Sequence, residues 1–159
     1  MTVLGLDPGI ASFGWAVIDS DGGPRLKLRC CGVIKTLPGI PLGERLRVIG
    51  GDLRKIITEN GPEHAAIEEI FFAKNVKTAT VVGHARGVAM FVCSDLGLDV
   101  TEFTPLEIKQ ALTGYGRATK PQIGFMVKKI LNLRELPRDD NAVDAVAAGI
   151  CFAHSHKNL

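Results

Sequence analysis

Val3-Leu4-Gly5-Leu6-Asp7-Pro8-Gly9, with Phe13-Gly14-Trp15-Ala16-Val17-Ile18 close behind, decides how the rest of this 159-residue chain is arranged. The first apolar run stops at Asp-Pro-Gly and the second at Asp19-Ser20-Asp21-Gly22-Gly23, so the pair reads as a β-hairpin followed by a polar turn. Leu26, Leu28 and Cys30 then alternate with Lys27 and Arg29, the period-two signature of a third strand with one wet face. An antiparallel meander opens the fold.

Beyond the meander the periodicity changes. Leu42, Leu46, Ile49, Leu53, Ile56 and Ile57 recur at steps of three and four up to Asn60-Gly61-Pro62, which predicts an amphipathic helix. Ala65 to Glu68 reads as a brief buried strand, Val76 to Leu96 as a long apolar-rich helix, and Val100 to Phe103 as another strand, a succession that implies a right-handed parallel crossover. Helices near Leu106 to Leu112, near Pro121 to Leu131 and from about Asp140 to His154 follow, the first two separated by the loop Thr113-Gly114-Tyr115-Gly116. The expected class is α/β, a mixed sheet of about five strands flanked by helices. Residues 1–159 carry no repeat, linker or low-complexity tract, so a single domain is expected.

Composition narrows the function. No apolar run approaches the roughly 20 residues of a membrane span, and Met1 to Leu6 has neither a basic leader nor a cleavage site, so a cytoplasmic protein with no membrane partner is expected. Cys30, Cys31, Cys93 and Cys151 match no zinc or disulfide spacing and read as reduced, structural thiols. Net charge is only +2, but it is segregated. Lys109, Arg117, Lys120, Lys128, Lys129 and Arg134 occupy a stretch without an acid, as do Lys74, Lys77 and Arg86. That pattern suits a surface that meets an anionic polymer, or equally a solvated basic face.

The acids gather elsewhere. Asp7 ends one buried strand and Glu68 ends another, with Glu69 pointing to the opposite face. Burying a carboxylate is costly unless it is paired or binds a metal. Asp144 lies on the last helix among small apolar residues, with Asn141 and Asp140 three and four positions earlier on the same face. Taken singly, each acid has a structural explanation: a turn, a lysine pair, a solvated helix position. As a converging set they suit a hard divalent cation, Mg²⁺ or Mn²⁺.

Several segments resemble, in order, the signatures of the RuvC family of Holliday-junction resolvases. They are Gly5-Leu6-Asp7-Pro8-Gly9 with Gly14, Ala66 through Asn75, Gly83-His84-Ala85-Arg86-Gly87, Lys109 through Gly116 with Lys120 and Gln122, and Asp144-Ala145 with His154. The resemblance implies an RNase H-like fold and a homodimer that makes paired cuts in a four-way DNA junction during recombination and repair. It further implies two divalent ions per site, 5′-phosphate products and a branch-migration helicase complex as partner. By position it makes Asp7, Glu68, Asp144 and Asn141 the catalytic, metal-binding residues. Lys109, Lys120, Lys74 and Arg86 become DNA contacts, and Phe71 an aromatic that stacks on opened bases or, alternatively, a core phenylalanine. The long helix from Val76 to Leu96, with Gly83, Ala85, Gly87 and Ala89, is the candidate dimer surface unless it is wholly core.

One position departs from the family pattern. Asn141 stands where a further acid or a histidine is usual, so either it ligates through its amide oxygen, or it caps the helix and Asp140 is the fourth ligand. A junction-binding module with weak or no cleavage is the alternative that Asn141 raises. Actin-like and sugar-kinase ATPases share an Asp-x-Gly hairpin, but they need a second such domain and loop, for which this chain has no room.

Overall fold

The computed structural model describes residues 1–69 and 76–156, without the side chains of residues 76–78. The meander is β1 (Thr2–Asp7), β2 (Ser12–Ser20) and β3 (Leu26–Lys35). It is followed by α1 (Leu42–Asn60), β4 (His64–Glu68), α2 (Val76–Asp95) and β5 (Asp99–Phe103). The strands form one sheet in the order β3-β2-β1-β4-β5, antiparallel through the meander and parallel from β1 to β5. The helices α3 (Pro105–Thr113), α4 (Lys120–Ile130) and α5 (Asp140–Ser155) complete the fold. This is the expected mixed five-stranded α/β architecture. β3 runs on to Lys35, past the alternation that announced it, because Cys30 to Ile34 are partly or fully covered in succession and leave no period-two signal.

Strand alternation sorts the core into two layers. Leu4, Leu6, Val17, Ala65 and Ile67 face α1 and α2, where they meet Ile49, Leu53, Ala85 and Ala89. Val3, Ala16, Ile18, Ala66 and Phe103 face α3, α4 and α5. The small residues of α2 therefore divide: Ala85 and Ala89 are fully buried, whereas His84 and Gly87 are exposed and Phe91 stands 66% exposed. No helix of the described residues is long and apolar enough to cross a membrane.

α5 is the buried member of its layer, with ten covered residues dominated by alanine and glycine. It lies almost directly on the sheet backbone. A Cβ placed on Gly5 would be 2.0 Å from the carbonyl oxygen of Ala145, and one on Gly14 would be 2.0 Å from that of Asn141. Neither neighbour is a flexible side chain that could step aside. The helix starts at Asp140, and Asp139 is its cap, accepting the Asn141 N–H at 3.0 Å. Asn141 therefore sits inside the first turn, and the capping role belongs to Asp139.

Overpacking a core typically costs about 1–3 kcal/mol. Gly5→Ala and Gly14→Ala should each lower the melting temperature by about 5–10 °C, at roughly 2–4 °C per kcal/mol for a chain of this size. Gly51, an exposed position within α1 with open space around it, is the control. Gly51→Ala should raise stability by about 0.5–1 kcal/mol. Thermal melts of the three variants check both signs.

Candidate active site

Three elements deliver the acids to one place. On β1 the side chains alternate so that Val3 and Gly5 face α5, and Asp7, at the end of the same strand, follows them. On β4 the inward series is His64, Ala66 and Glu68, with His64 stacked on Phe152 of α5 at 5.0 Å. The last paired residues of these two parallel strands are Leu6 and Ile67, so Asp7 and Glu68 are the next residues on neighbouring strands and share a face. Asp144 comes from the second turn of α5, one residue before the Ala145 that touches Gly5.

Asn141 belongs to the same group. Asp7 is registered with Gly14 across the hairpin, and a Cβ on Gly14 would lie 3.2 Å from the Cβ of Asn141. Asn141 therefore borders the strand position of Asp7, whereas Asp140 is exposed at the helix start and acts electrostatically on Lys120.

The electrostatics are those of carboxylates confined together. Burial, reinforced by the charges of Asp144, Glu68 and Asp139 and opposed by Lys120, pushes the Asp7 carboxyl from its ordinary 3.8 up to about 7. Glu68 is likewise raised by burial and by Asp144, with Lys109 and Lys120 pulling the other way. Lys120 meets Asp144 at 3.1 Å, and this bond with the surrounding acids holds its ammonium above the usual lysine range. Among the described residues no three acid, histidine or cysteine side chains close into a ready-made metal cage. Like charges spread apart when nothing lies between them, and one of these already leans on a lysine. The donors present, three carboxylates and one amide, are hard oxygens and fit Mg²⁺ or Mn²⁺.

Glu68, Lys109, Lys120 and Asp144 line one open cleft of about 330 Å³ between α3, α4 and α5, floored by Ile108 and Ala147. The structure thus brings Lys109 and Lys120 to the acids. Arg86 is elsewhere: on α2 it is ion-paired with Glu102 of β5, and its buried Nε has no partner among the described residues. Phe71 and Lys74 lie outside the described residues. Sequence reasoning passed over Asp139, which caps α5, lies 4.0 Å from Lys35 and adds to the field on Asp7. An aspartate directly before the helical pattern was the signal that marks it.

Comparison with known proteins gives this geometry its relatives. The family model of crossover junction endodeoxyribonuclease RuvC matches residues 3–152. The crossover junction endodeoxyribonuclease RuvC of Pelotomaculum thermopropionicum is 48% identical over 98% of this chain and 94% of its own. The structure of Thermus thermophilus RuvC is similar at a TM-score of 0.90 and 35% identity, covering 97% of this chain and 94% of that one. T. thermophilus RuvC in complex with Holliday junction substrate is similar at a TM-score of 0.94 and 34% identity, covering 99% and 95%. A family model matched along nearly the whole sequence, on a fold this close, means that the chain belongs to the RuvC family of crossover junction endodeoxyribonucleases.

Proposed function

We propose that the chain is a single-domain, divalent-cation-dependent endonuclease that resolves four-way junctions by paired cuts in recombination and repair. The observation that carries this reading is the placement of Asp7 and Glu68 at adjacent strand ends together with Asp144 of α5, beside Lys109 and Lys120, in a chain similar along its length to a RuvC in complex with Holliday junction substrate. Asp7, Glu68 and Asp144 hold the cations, and the amide oxygen of Asn141 adds a neutral donor. Bound there, Mg²⁺ or Mn²⁺, two per site, supplies an activated water and charge neutralisation at the scissile phosphate, leaving a 5′ phosphate. Lys109 and Lys120 meet the backbone phosphates at the mouth of the cleft. Phe71, Lys74 and Arg86 are the further DNA contacts of this reading. The protein works in the cytoplasm with a branch-migration helicase complex.

Paired cuts need two sites related by a two-fold axis, hence a homodimer. The outer stripe of α2 supports one: His84, Gly87 and Phe91 fall on one helix face, with open space at Gly87 and a large exposed ring at Phe91. Phe91→Glu should convert the dimer to a monomer in sedimentation velocity and turn paired cleavage into single nicks.

The raised Asp7 carboxyl has two readouts. The fold holds a proton between pH 3.8 and about 7 that the unfolded chain has released, so stability without metal increases as pH falls through that window. Cation and proton also compete for the same oxygen. In the intact protein the melting temperature without metal should rise from pH 8 to pH 5.5, while half-maximal cleavage demands more cation as pH drops below about 7. Asp7→Asn should flatten the pH dependence of melting, raise the melting temperature at neutral pH by a few degrees and abolish cutting. Junction affinity, which rests on basic groups, should persist.

Asn141 separates the nuclease from a binding module with little cleavage. Asn141→Asp should lower the cation concentration for half-maximal cleavage, more in Mg²⁺ than in Mn²⁺, which binds such sites more tightly. Asp140→Asn, at an exposed position, should leave it within about twofold. Titrations of nicking against each metal decide between them, and a protein that nicks in neither metal is the binding module.

A further inference from the structure

Among the depressions around the start of α4, two share Ala118. One is the acid-lined cleft; the other, about 390 Å³, lies across Ala118, which lines both. It is lined by Tyr115 and Phe125 together with Pro121, Met126, Thr113 and Gln122. Tyr115 and Phe125 are 56% and 58% exposed, two large rings left in water side by side. Neither stacks on another ring among the described residues. We propose that this groove holds an unstacked nucleobase of the DNA strand whose phosphate lies in the neighbouring cleft, and so helps fix which phosphodiester is cut. The proposal rests on the junction-nuclease reading above.

The groove is built in advance. The Thr113 hydroxyl donates to the carbonyl of Lys109 at 2.8 Å and accepts the Tyr115 N–H at 3.1 Å, and Ala118 N–H donates to the Tyr115 carbonyl at 3.3 Å. Tyr115 is thus presented by a turn whose backbone is already ordered. Gln122 uses its Oε1 to accept the Thr119 N–H at 2.8 Å, which leaves its NH₂ to donate outward. Rigid aromatic area with a polar donor at the rim gives up little entropy on binding.

Charge selects the occupant. Among the described residues no acid lines the groove. A further depression of about 300 Å³, also lined by Phe125, is bordered by Lys128, Lys129 and Asn132, and the Lys129 ammonium sits 5.7 Å from the centre of the Phe125 ring. Two apolar ring walls, a donor at the edge and cations outside match a flat heterocycle whose phosphates lie to either side. Volume agrees, since small-molecule pockets span about 300–1,000 Å³. A base enters such a slot only when pulled from the stack, and a strand exchange point is where bases are least held.

The test uses four-way junctions with 5-iododeoxyuridine at successive positions around the cut, irradiated with Asp7→Asn protein and mapped by peptide mass spectrometry. Crosslinks from one position to Tyr115 or Phe125 are expected. In the active protein, Tyr115→Ala and Phe125→Ala should each lower the ratio of the preferred to the next cleavage position by about tenfold, the scale of one base–ring stack. Both side chains are half exposed, so the variants should melt normally. Crosslinks that fall only elsewhere, with cleavage ratios unchanged in both variants, overturn the proposal and leave the nuclease reading intact. So does a Phe125→Ala protein whose only change is its association state in sedimentation, which would make the groove a contact with a second copy. An unmodified protein that neither binds nor cuts junctions overturns both.

Discussion

Helix α5 rests backbone to backbone on β1 and β2, and everything chemical in this protein follows from how close that seat is. Gly5 and Gly14 remove the side chains that would hold the helix away, and the alanine-rich face of α5 removes the rest. One turn of helix then spans the distance from Asn141, over Gly14, to Ala145, over Gly5, and Asp144 is carried in with it. A helix held off by ordinary leucines would stand farther from the sheet, and its carboxylate would miss the two on the strands.

The result is a core engineered against itself. At adjacent strand ends Glu68 raises the proton affinity of the half-buried Asp7, Asp144 raises that of both, Asp144 borrows Lys120, and Asp139 at the helix cap adds a further negative charge. Asp7 and Glu68 would each be easier to fold as an amide. Sites poised this way exchange stability for a field that a cation and a phosphate backbone relieve together. Asn141 moderates that conflict at the one place where another acid would stand nearest to the Asp7 strand position.

Much of this was legible in the sequence because the signals were local. Alternation named the meander, three-four spacing named α1, and acids at the ends of apolar runs named Asp7 and Glu68. What escaped were properties of pairs. That Arg86 reaches across to Glu102, and that Ala85 and Ala89 turn inward while Gly87 and Phe91 turn outward, depends on the rotation of α2. α2 is apolar nearly all round and carries no stripe to read. Where α5 begins was likewise not legible to a single residue: the cap is Asp139, so Asn141 lies inside the first turn instead of capping it.

The seat of α5 also sets an order of events. β1 and β2 present a face of Val3, Ala16 and Ile18 whose covering helices, α3, α4 and α5, all come after Phe103, with α5 last. At about 5–20 residues per second of synthesis, that face stays open on the order of ten seconds after the hairpin is made. The meander and α1 can associate early, but the acids at the sheet edge stand apart until α5 docks. Until the last helix is made, Asp144 is not held beside Asp7 and Glu68, and the field these acids share exists only in the closed fold.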